Sequence, residues 1–348
     1  MKNYKILYGV SKVAYGLGGC TPFPLCLKAC SEYLGRPISY AKAMAESGAA
    51  FRLAWNTAEW DGGNVDVSLT FDNSDKVYAC GLRSMGCCFK TVGRTAETSK
   101  EEFMDFICRE IDEGNPVIAL GIIGPPEAGI VAGYRDGGQT LVGWNVFQDY
   151  PENGSAVHYE ENGYYATDAW WENPDTQGLF ATGGADAEPF EPLEVLKNAI
   201  EALEGRMCGS YAKGICAYGA WKEALLKEAN FPKDAVMPIL VERMMCHGDA
   251  MDCLSDGRHN AALYLREMAV QCLEWADLLE AAAKEFDGVV TLVWDMAHLL
   301  GGWERGEAQM RKLAQPDIRK KLAGLIDQMQ AHDEKALECL REATQRLA

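Results

Sequence analysis

The pattern of hydrophobic and polar residues divides the chain into two regions. Residues 1–190 combine amphipathic segments with short apolar runs of strand length, whereas residues 191–348 repeat apolar residues at the 3- and 4-residue spacing of helices. Small residues and proline occupy the stretch 183–189 between them, which is typical of a linker. We therefore predict two domains, 1–190 and 191–348.

The first region predicts helices followed by antiparallel strands. Helices are expected at 23–34, 39–47 and 99–113, the last with Ser99 and Glu102 in capping-box spacing. The continuously apolar run 116–123 is typical of a strand buried on both faces. Further strands are expected at 129–134 and 139–146, on either side of an Asp-Gly-Gly turn. This order favours an α+β fold with an antiparallel sheet.

The second region predicts an all-α domain. Its apolar residues recur with helical spacing in a series of segments, and neither a repeat nor a low-complexity tract is visible. The predicted helices cover 193–204, 214–229, 235–253, 260–285, 289–300 and 316–346.

Composition and charge exclude several classes of protein. The 348 residues are 48% hydrophobic and 24% charged, which is ordinary for a globular protein and excludes disordered, collagen-like and rod-like chains. The net charge of -18 repels nucleic-acid phosphates and anionic lipid heads, so neither is an expected partner. No uninterrupted apolar run approaches the roughly 18 residues of a membrane-spanning helix.

The cysteines favour a reduced, cytoplasmic protein. There are thirteen, an odd number spread along the chain, whereas secreted disulfide scaffolds are short and have even counts. The string Leu17-Gly18-Gly19-Cys20 resembles a lipoprotein cleavage box, but Lys12 interrupts the apolar core that such a leader needs.

One cysteine lies where a nucleophile could be activated. Cys20 follows a glycine-rich stretch and directly precedes the first predicted helix. The positive end of a helix dipole and its unpaired N–H groups stabilise a thiolate, and the same N–H groups can bind an oxyanion. The alternative interpretation is a glycine-rich turn that carries an incidental cysteine.

Three stretches together resemble the papain-like cysteine peptidase superfamily, in particular the bacteriocin-leader peptidases and the N-terminal domain of the butirosin biosynthesis protein H family. They are Cys20-Thr21-Pro22, the segment 39–53, and Gly133-Tyr134-Arg135-Asp136. The resemblance covers about residues 15–150. It implies a papain-like N-terminal domain, followed here by the all-α C-terminal domain.

The resemblance also implies catalytic roles, with one departure. It makes Cys20 the nucleophile and Asn145 or Asp149 the orienting group. The family carries a histidine six residues before the glycine of the Gly-Tyr-Asp turn, and here that position is Glu127. None of the five histidines lies in this segment. A carboxylate is a weaker base toward a thiol than imidazole, and its charge raises the thiol pKa.

Three interpretations stay open. Glu127 serves as the general acid/base in a dry pocket, or His158 reaches in from a nearby loop, or catalysis is lost and the cleft only binds a ligand. The enzyme reading predicts thiol-dependent acyl transfer or amide hydrolysis, with acyl transfer to an amine favoured by the resemblance to the butirosin H type. The other reading predicts a catalytically inactive papain-like protein that binds a small cationic or peptide ligand.

The expected partners follow from these readings. They are a small-molecule amine or a peptide substrate and, for acyl transfer, an acyl-carrier donor. A homo-oligomer stays an open alternative. No cofactor is expected, because the Gly-Gly pairs at 183–184 and 301–302 have no nucleotide-binding context.

Two further clusters have structural explanations that we favour. A helix would scatter a set of metal-ligating residue types around its axis, so no metal is predicted there; the set is Cys246, His247, Asp249, Asp252, Cys253 and His259. The aromatic and acidic segment 159–171 could line a carbohydrate or amine pocket, but a packed β-ribbon is favoured.

Overall fold

The computed structural model describes residues 3–154, 157–184 and 187–346. It divides into unit 1, which comprises Met1–Ala43 and Tyr78–Pro189, and unit 2, which comprises Met44–Val77 and Phe190–Ala348. Residues 185 and 186 of the predicted linker lie outside the described residues.

Unit 1 contains both helices and strands, and unit 2 is mostly helical. The helices are α1 (Pro22–Tyr33), α2 (Tyr40–Ser47), α3 (Asp75–Ser84), α4 (Lys100–Glu113), α5 (Pro192–Leu203), α6 (Ile215–Leu226), α7 (Met237–Gln271), α8 (Ala276–Leu300), α9 (Glu307–Leu313) and α10 (Pro316–Gln345). The strands are β1 (Lys5–Ile6), β2 (Ala54–Asn56), β3 (Thr91–Gly93), β4 (Val117–Leu120), β5 (Ala128–Arg135), β6 (Thr140–Asn145), β7 (His158–Tyr159), β8 (Tyr165–Thr167), β9 (Gly178–Ala181), β10 (Arg206–Cys208) and β11 (Tyr211–Lys213).

Unit 1 is built on one antiparallel sheet. Its strands are ordered β3-β9-β4-β5-β6-β8-β7, and β1 also pairs with β5. Strands β4, β5 and β6 form the predicted meander, in which every residue of β4 is buried. Helix α1 packs against β5 and β4. The α+β class with an antiparallel sheet is therefore confirmed.

Local sequence signals set the ends of the unit 1 helices. Helix α4 begins with the predicted capping box, in which the Ser99 hydroxyl accepts from the Glu102 N–H and the Glu102 carboxylate accepts from the Ser99 N–H. Helix α1 begins with Pro22, whose fixed φ suits the first helical position. Both starts lie within one residue of the predicted bounds.

Unit 2 is mainly helical, with α8 packed against both α7 and α10. A three-stranded sheet of β10, β11 and β2 joins residues of 44–77 to the C-terminal part of the chain. The sequence pattern assigns 44–77 to the first region. It cannot show the grouping with unit 2, because the residues that 44–77 contacts there are far along the chain. Among the described residues, no helix is both long and apolar enough to cross a membrane.

Three predictions for the second region are wrong. The helix expected over 260–285 is interrupted, since α7 ends at Gln271 and α8 begins at Ala276, and two predicted breaks are absent. Helix α7 is continuous through 254–259, and α8 is continuous through 286–288. Gly257 lies within α7 and does not end it. A glycine is needed there because a Cβ at this position would lie 2.7 Å from the Ala50 carbonyl oxygen. The next residue, Arg258, is polar in sequence but is fully buried. The glycine and the arginine in this part of α7 therefore serve close packing and do not mark a turn.

A buried ion pair connects α7 to α10. The Arg258 guanidinium donates to the Asp333 carboxylate, with Nη2 2.6 Å from Oδ2, and its Nη1 donates to the Ala50 carbonyl at 2.8 Å. The Tyr218 hydroxyl also donates to Asp333 Oδ2 at 2.8 Å. Asp333 is 1% exposed, so removing it would leave the arginine charge buried without its counter-ion.

We predict that Asp333→Ala lowers the free energy of unfolding by about 3–5 kcal/mol, because Arg258 loses its buried partner. The matched control is Asp327→Ala on the same helix, which removes the exposed partner of Lys222 and should cost about 1 kcal/mol or less. Urea unfolding followed by circular dichroism measures both. Equal losses for the two variants would contradict this account of the buried pair.

Candidate functional site

The start of α1 presents Cys20 to solvent. Cys20 is exposed and lies two residues before Pro22, the first residue of the helix. The backbone N–H of Thr21 donates to the Tyr40 hydroxyl at 3.0 Å, which ties this segment to the start of α2. Because Pro22 and Pro24 have no N–H, Phe23 supplies the remaining N–H donor of the first turn.

Glu127 lies directly before β5 and beside α1. It is half-buried and follows two prolines, and its backbone is held by a hydrogen bond from the Gly121 N–H to the Glu127 carbonyl at 3.1 Å. Burial raises the pKa of the fully buried Cys26 thiol in α1, and the charge of Glu127 raises it further. The Glu127 carboxylate therefore lies within electrostatic range of the Cys26 sulfur.

The loop that carries Glu127 is fixed from a second loop of unit 1. The Asn173 amide donates to the carbonyl oxygens of Gly121 and Gly124, each at 2.8 Å, and the Thr176 hydroxyl donates to Gly121 at 2.9 Å. Gly121 has φ +72°, and a Cβ there would lie 1.8 Å from the Asp175 carbonyl oxygen. Only glycine therefore fits this position of the loop.

Asn145 is the last residue of β6 and pairs with Gly129 of β5. It is 1% exposed, and its Oδ1 accepts from the Phe147 N–H at 2.8 Å. A backbone N–H only donates, so this bond fixes the amide with Nδ2 toward Gly129, where a Cβ would lie 2.7 Å away. That Nδ2 is buried and has no hydrogen-bond partner in the part of the chain that the structure describes.

Asp149, the other candidate for the orienting role, lies on the surface. Its carboxylate pairs with Lys12 at 3.3 Å and accepts from the Tyr159 hydroxyl at 3.2 Å. The side chain is 58% exposed. The geometry therefore favours Asn145 over Asp149 as the residue next to the strand that follows Glu127.

Aromatic contacts bring together the three segments that carry these residues. The rings of Tyr15 and Phe147 meet edge to face with their centroids 5.8 Å apart. Phe147 also lies against Gly124, with its Cβ 3.3 Å from where a Gly124 Cβ would be. Tyr15 precedes Cys20, Gly124 precedes Glu127, and Phe147 follows Asn145, so the segments converge in unit 1. The sequence did not predict the contact of Tyr15 with Phe147, because no spacing pattern relates two aromatic residues so far apart in the chain.

His158 does not join this arrangement. It is exposed on β7 and pairs with Ala166 of β8, and β8 separates it from β6. The segment that follows packs as a ribbon, with Tyr164, Tyr165 and Trp170 each at most 1% exposed.

The cluster on α7 is structural. His247 is fully buried and accepts from the Trp221 indole N–H at 3.1 Å, and burial, with Arg305 nearby, lowers the pKa of His247 to about 3. Asp249 and Asp252 both pair with Arg305. Within residues 3–154, 157–184 and 187–346, no group of three His, Cys, Asp or Glu side chains could hold a metal ion.

Comparison with known proteins gives no family for this chain. No protein-family model matches it, and no curated protein matches its sequence. The resemblance to the papain-like superfamily therefore depends on the motifs around Cys20 and Gly133 and on the placement of their residues, and it stays a prediction.

We predict that Gly129→Ala destabilises the protein by about 1–3 kcal/mol, because the added methyl group would overlap Asn145 Nδ2 and lie 3.0 Å from the Trp144 carbonyl oxygen. Gly93→Ala on β3 is the matched control, since apart from its chain neighbours no described residue has an atom within 4 Å of the added Cβ. Thermal unfolding of the two variants tests this placement of Asn145. A similar melting temperature for both would place the Asn145 side chain elsewhere.

Proposed function

We propose that unit 1 is a papain-like domain in which the Cys20 thiol performs acyl transfer or amide hydrolysis on a small amine or peptide substrate, as in the butirosin H type. The observation that carries the proposal is the exposed thiol at the start of α1, with the segments of Glu127 and Asn145 converging on the same part of the unit. An accessible thiol at a helix N-terminus is the environment that a nucleophilic cysteine requires.

The chemistry has two steps. Cys20 sulfur attacks the acyl carbonyl as its proton passes to the Glu127 carboxylate, and the tetrahedral oxyanion accepts from backbone N–H donors such as that of Phe23. The intermediate collapses to a thioester, and Glu127 returns the proton to the leaving group. An amine or water then attacks the thioester, Glu127 takes the proton of this nucleophile, and that proton returns to the Cys20 sulfur.

The Asn145 side chain can donate a hydrogen bond to a carboxylate, so it is compatible with Glu127 as the acid/base partner of the Cys20 thiol. In this site the amide Nδ2, a donor, faces β5, while Oδ1 is already engaged by Phe147. An ionised carboxylate only accepts hydrogen bonds, so a small movement of Glu127 or Asn145 would give Nδ2 a partner, which it lacks among the described residues. We assign Asn145 the role of positioning Glu127.

The second candidate function is binding without catalysis. A negative charge beside a thiol disfavours the thiolate, and Glu127 stands where the family has a histidine. The same cleft would then hold a small cationic or peptide ligand, with Glu127 as its counter-ion. This function needs no reactivity at Cys20, which separates it from the first.

We predict that Cys20 is acetylated by p-nitrophenyl acetate and turns the reagent over. The acyl-enzyme is detected as a mass increase on the Cys20 peptide, and Cys88 and Cys216, two other exposed thiols, serve as internal references. Glu127→Gln should slow both formation and hydrolysis of the acyl-enzyme and lower turnover about 10²-fold, because the general acid/base of both steps is lost. Cys20→Ser should abolish turnover.

A pH series of iodoacetamide labelling provides the control for reactivity. The enzyme reading predicts that Cys20 reacts with an apparent pKa below the roughly 8.5 of a free thiol. If Cys20 reacts no faster than Cys88 and Cys216, and Glu127→Gln does not change acyl turnover, the catalytic function is rejected and the binding function stands.

A further inference from the structure

Unit 1 contains a pocket next to the loop that carries Glu127. Its volume is about 450 Å³, within the range of small-molecule sites. The lining combines apolar and polar residues, with a single acidic one. It is formed by Ile122, Ile123, Gly124, Pro125, Asn153, Thr167, Ala169, Asn173 and Asp175.

The polar residues of the pocket wall are already fixed by the fold. Asn173 donates to the Gly121 and Gly124 carbonyls and accepts from the Asp175 N–H at 3.1 Å. The Asn153 amide donates to the Phe147 carbonyl at 3.1 Å, and the Thr167 hydroxyl accepts from the Ala169 N–H at 3.3 Å. The pocket therefore has its shape before any ligand enters, which reduces the entropic cost of binding.

Asp175 is the exception among these polar groups. Across the ranges that the structure describes, its carboxylate makes no hydrogen bond and no ion pair. Its backbone N–H donates to the Asn173 side chain, and its carbonyl oxygen lies against Gly121. Arg94 binds the same loop, but its guanidinium donates to the carbonyls of Trp171 and Asn173 and stacks on the Trp171 ring at 4.0 Å. The pocket thus presents one anionic group that the protein does not neutralise by direct contact.

We propose that this pocket binds a small organic cation, with an ammonium or guanidinium group paired with Asp175. The apolar side chains of Ile122, Ile123 and Pro125 would contact the aliphatic part of the ligand. The net charge of -18 favours the approach of a cation and opposes that of an anion. None of the lining residues is Cys20, Glu127 or Asn145, so this site does not depend on the proposed chemistry.

The test is isothermal titration calorimetry with 1,4-diaminobutane as the probe and 1,4-butanediol as its uncharged counterpart. The full chain should bind the diamine in a saturable manner and bind the diol at least tenfold more weakly, since a charge-assisted contact is lost. Asp175→Asn should weaken diamine binding by about tenfold and leave the melting temperature unchanged, because the carboxylate makes no hydrogen bond to any residue that the structure describes.

Three control variants make the outcome specific. Ala169→Leu, which fills part of the pocket, should also weaken binding, and Glu97→Gln, an exposed acid outside it, should not. Cys20→Ser should bind the diamine as the native chain does, so that a failure of the proposed catalysis is seen separately from a failure of this site. Equal binding by Asp175→Asn, or an equal loss with Glu97→Gln, would overturn the proposal.

Discussion

The candidate site depends on the packing of α1 against β5. The helix begins just after Cys20, and the strand begins just after Glu127, so the contact between these two elements sets where both side chains can be. Cys26 and Cys30 of α1 are fully buried, and burial raises the pKa of both thiols. Packing of the helix against the strand limits where the exposed Cys20 can lie, which either catalysis or ligand binding requires.

Much of the fold could be predicted because local signals determine it. The capping box at Ser99 sets the start of α4, and the Asp-Gly-Gly turn sets the β5–β6 hairpin. The continuity of α7 could not be predicted, since its glycine and its buried Arg258 depend on Ala50 and Asp333, which are distant in the sequence. The grouping of 44–77 with unit 2 has the same origin, and the sequence-based ranges 1–190 and 191–348 stay a prediction about independent folding.

In the candidate site, too, features set by neighbouring residues could be predicted, and features set by residues distant in the sequence could not. Glycines and prolines around Cys20 indicate a helix start, and the structure has one there. The choice between Asn145 and Asp149 is not local, because Asn145 is buried opposite Gly129 while Lys12, 137 residues away in sequence, pairs with Asp149. No sequence signal indicates that the Asp175 carboxylate lacks a partner among the described residues, because this depends on how the loops around it fold.

A crosslinking experiment tests most directly whether α1 and the start of β5 bring the proposed catalytic residues together. Glu127→Cys is treated with a bifunctional methanethiosulfonate of about 5 Å span, comparable to disulfide Cα separations, and the linked peptides are identified by mass spectrometry. We predict a rapid crosslink between residue 127 and Cys20, and a much slower one when the new cysteine is at Asp149. A residue 127 that links to other cysteines but not to Cys20 would contradict the account.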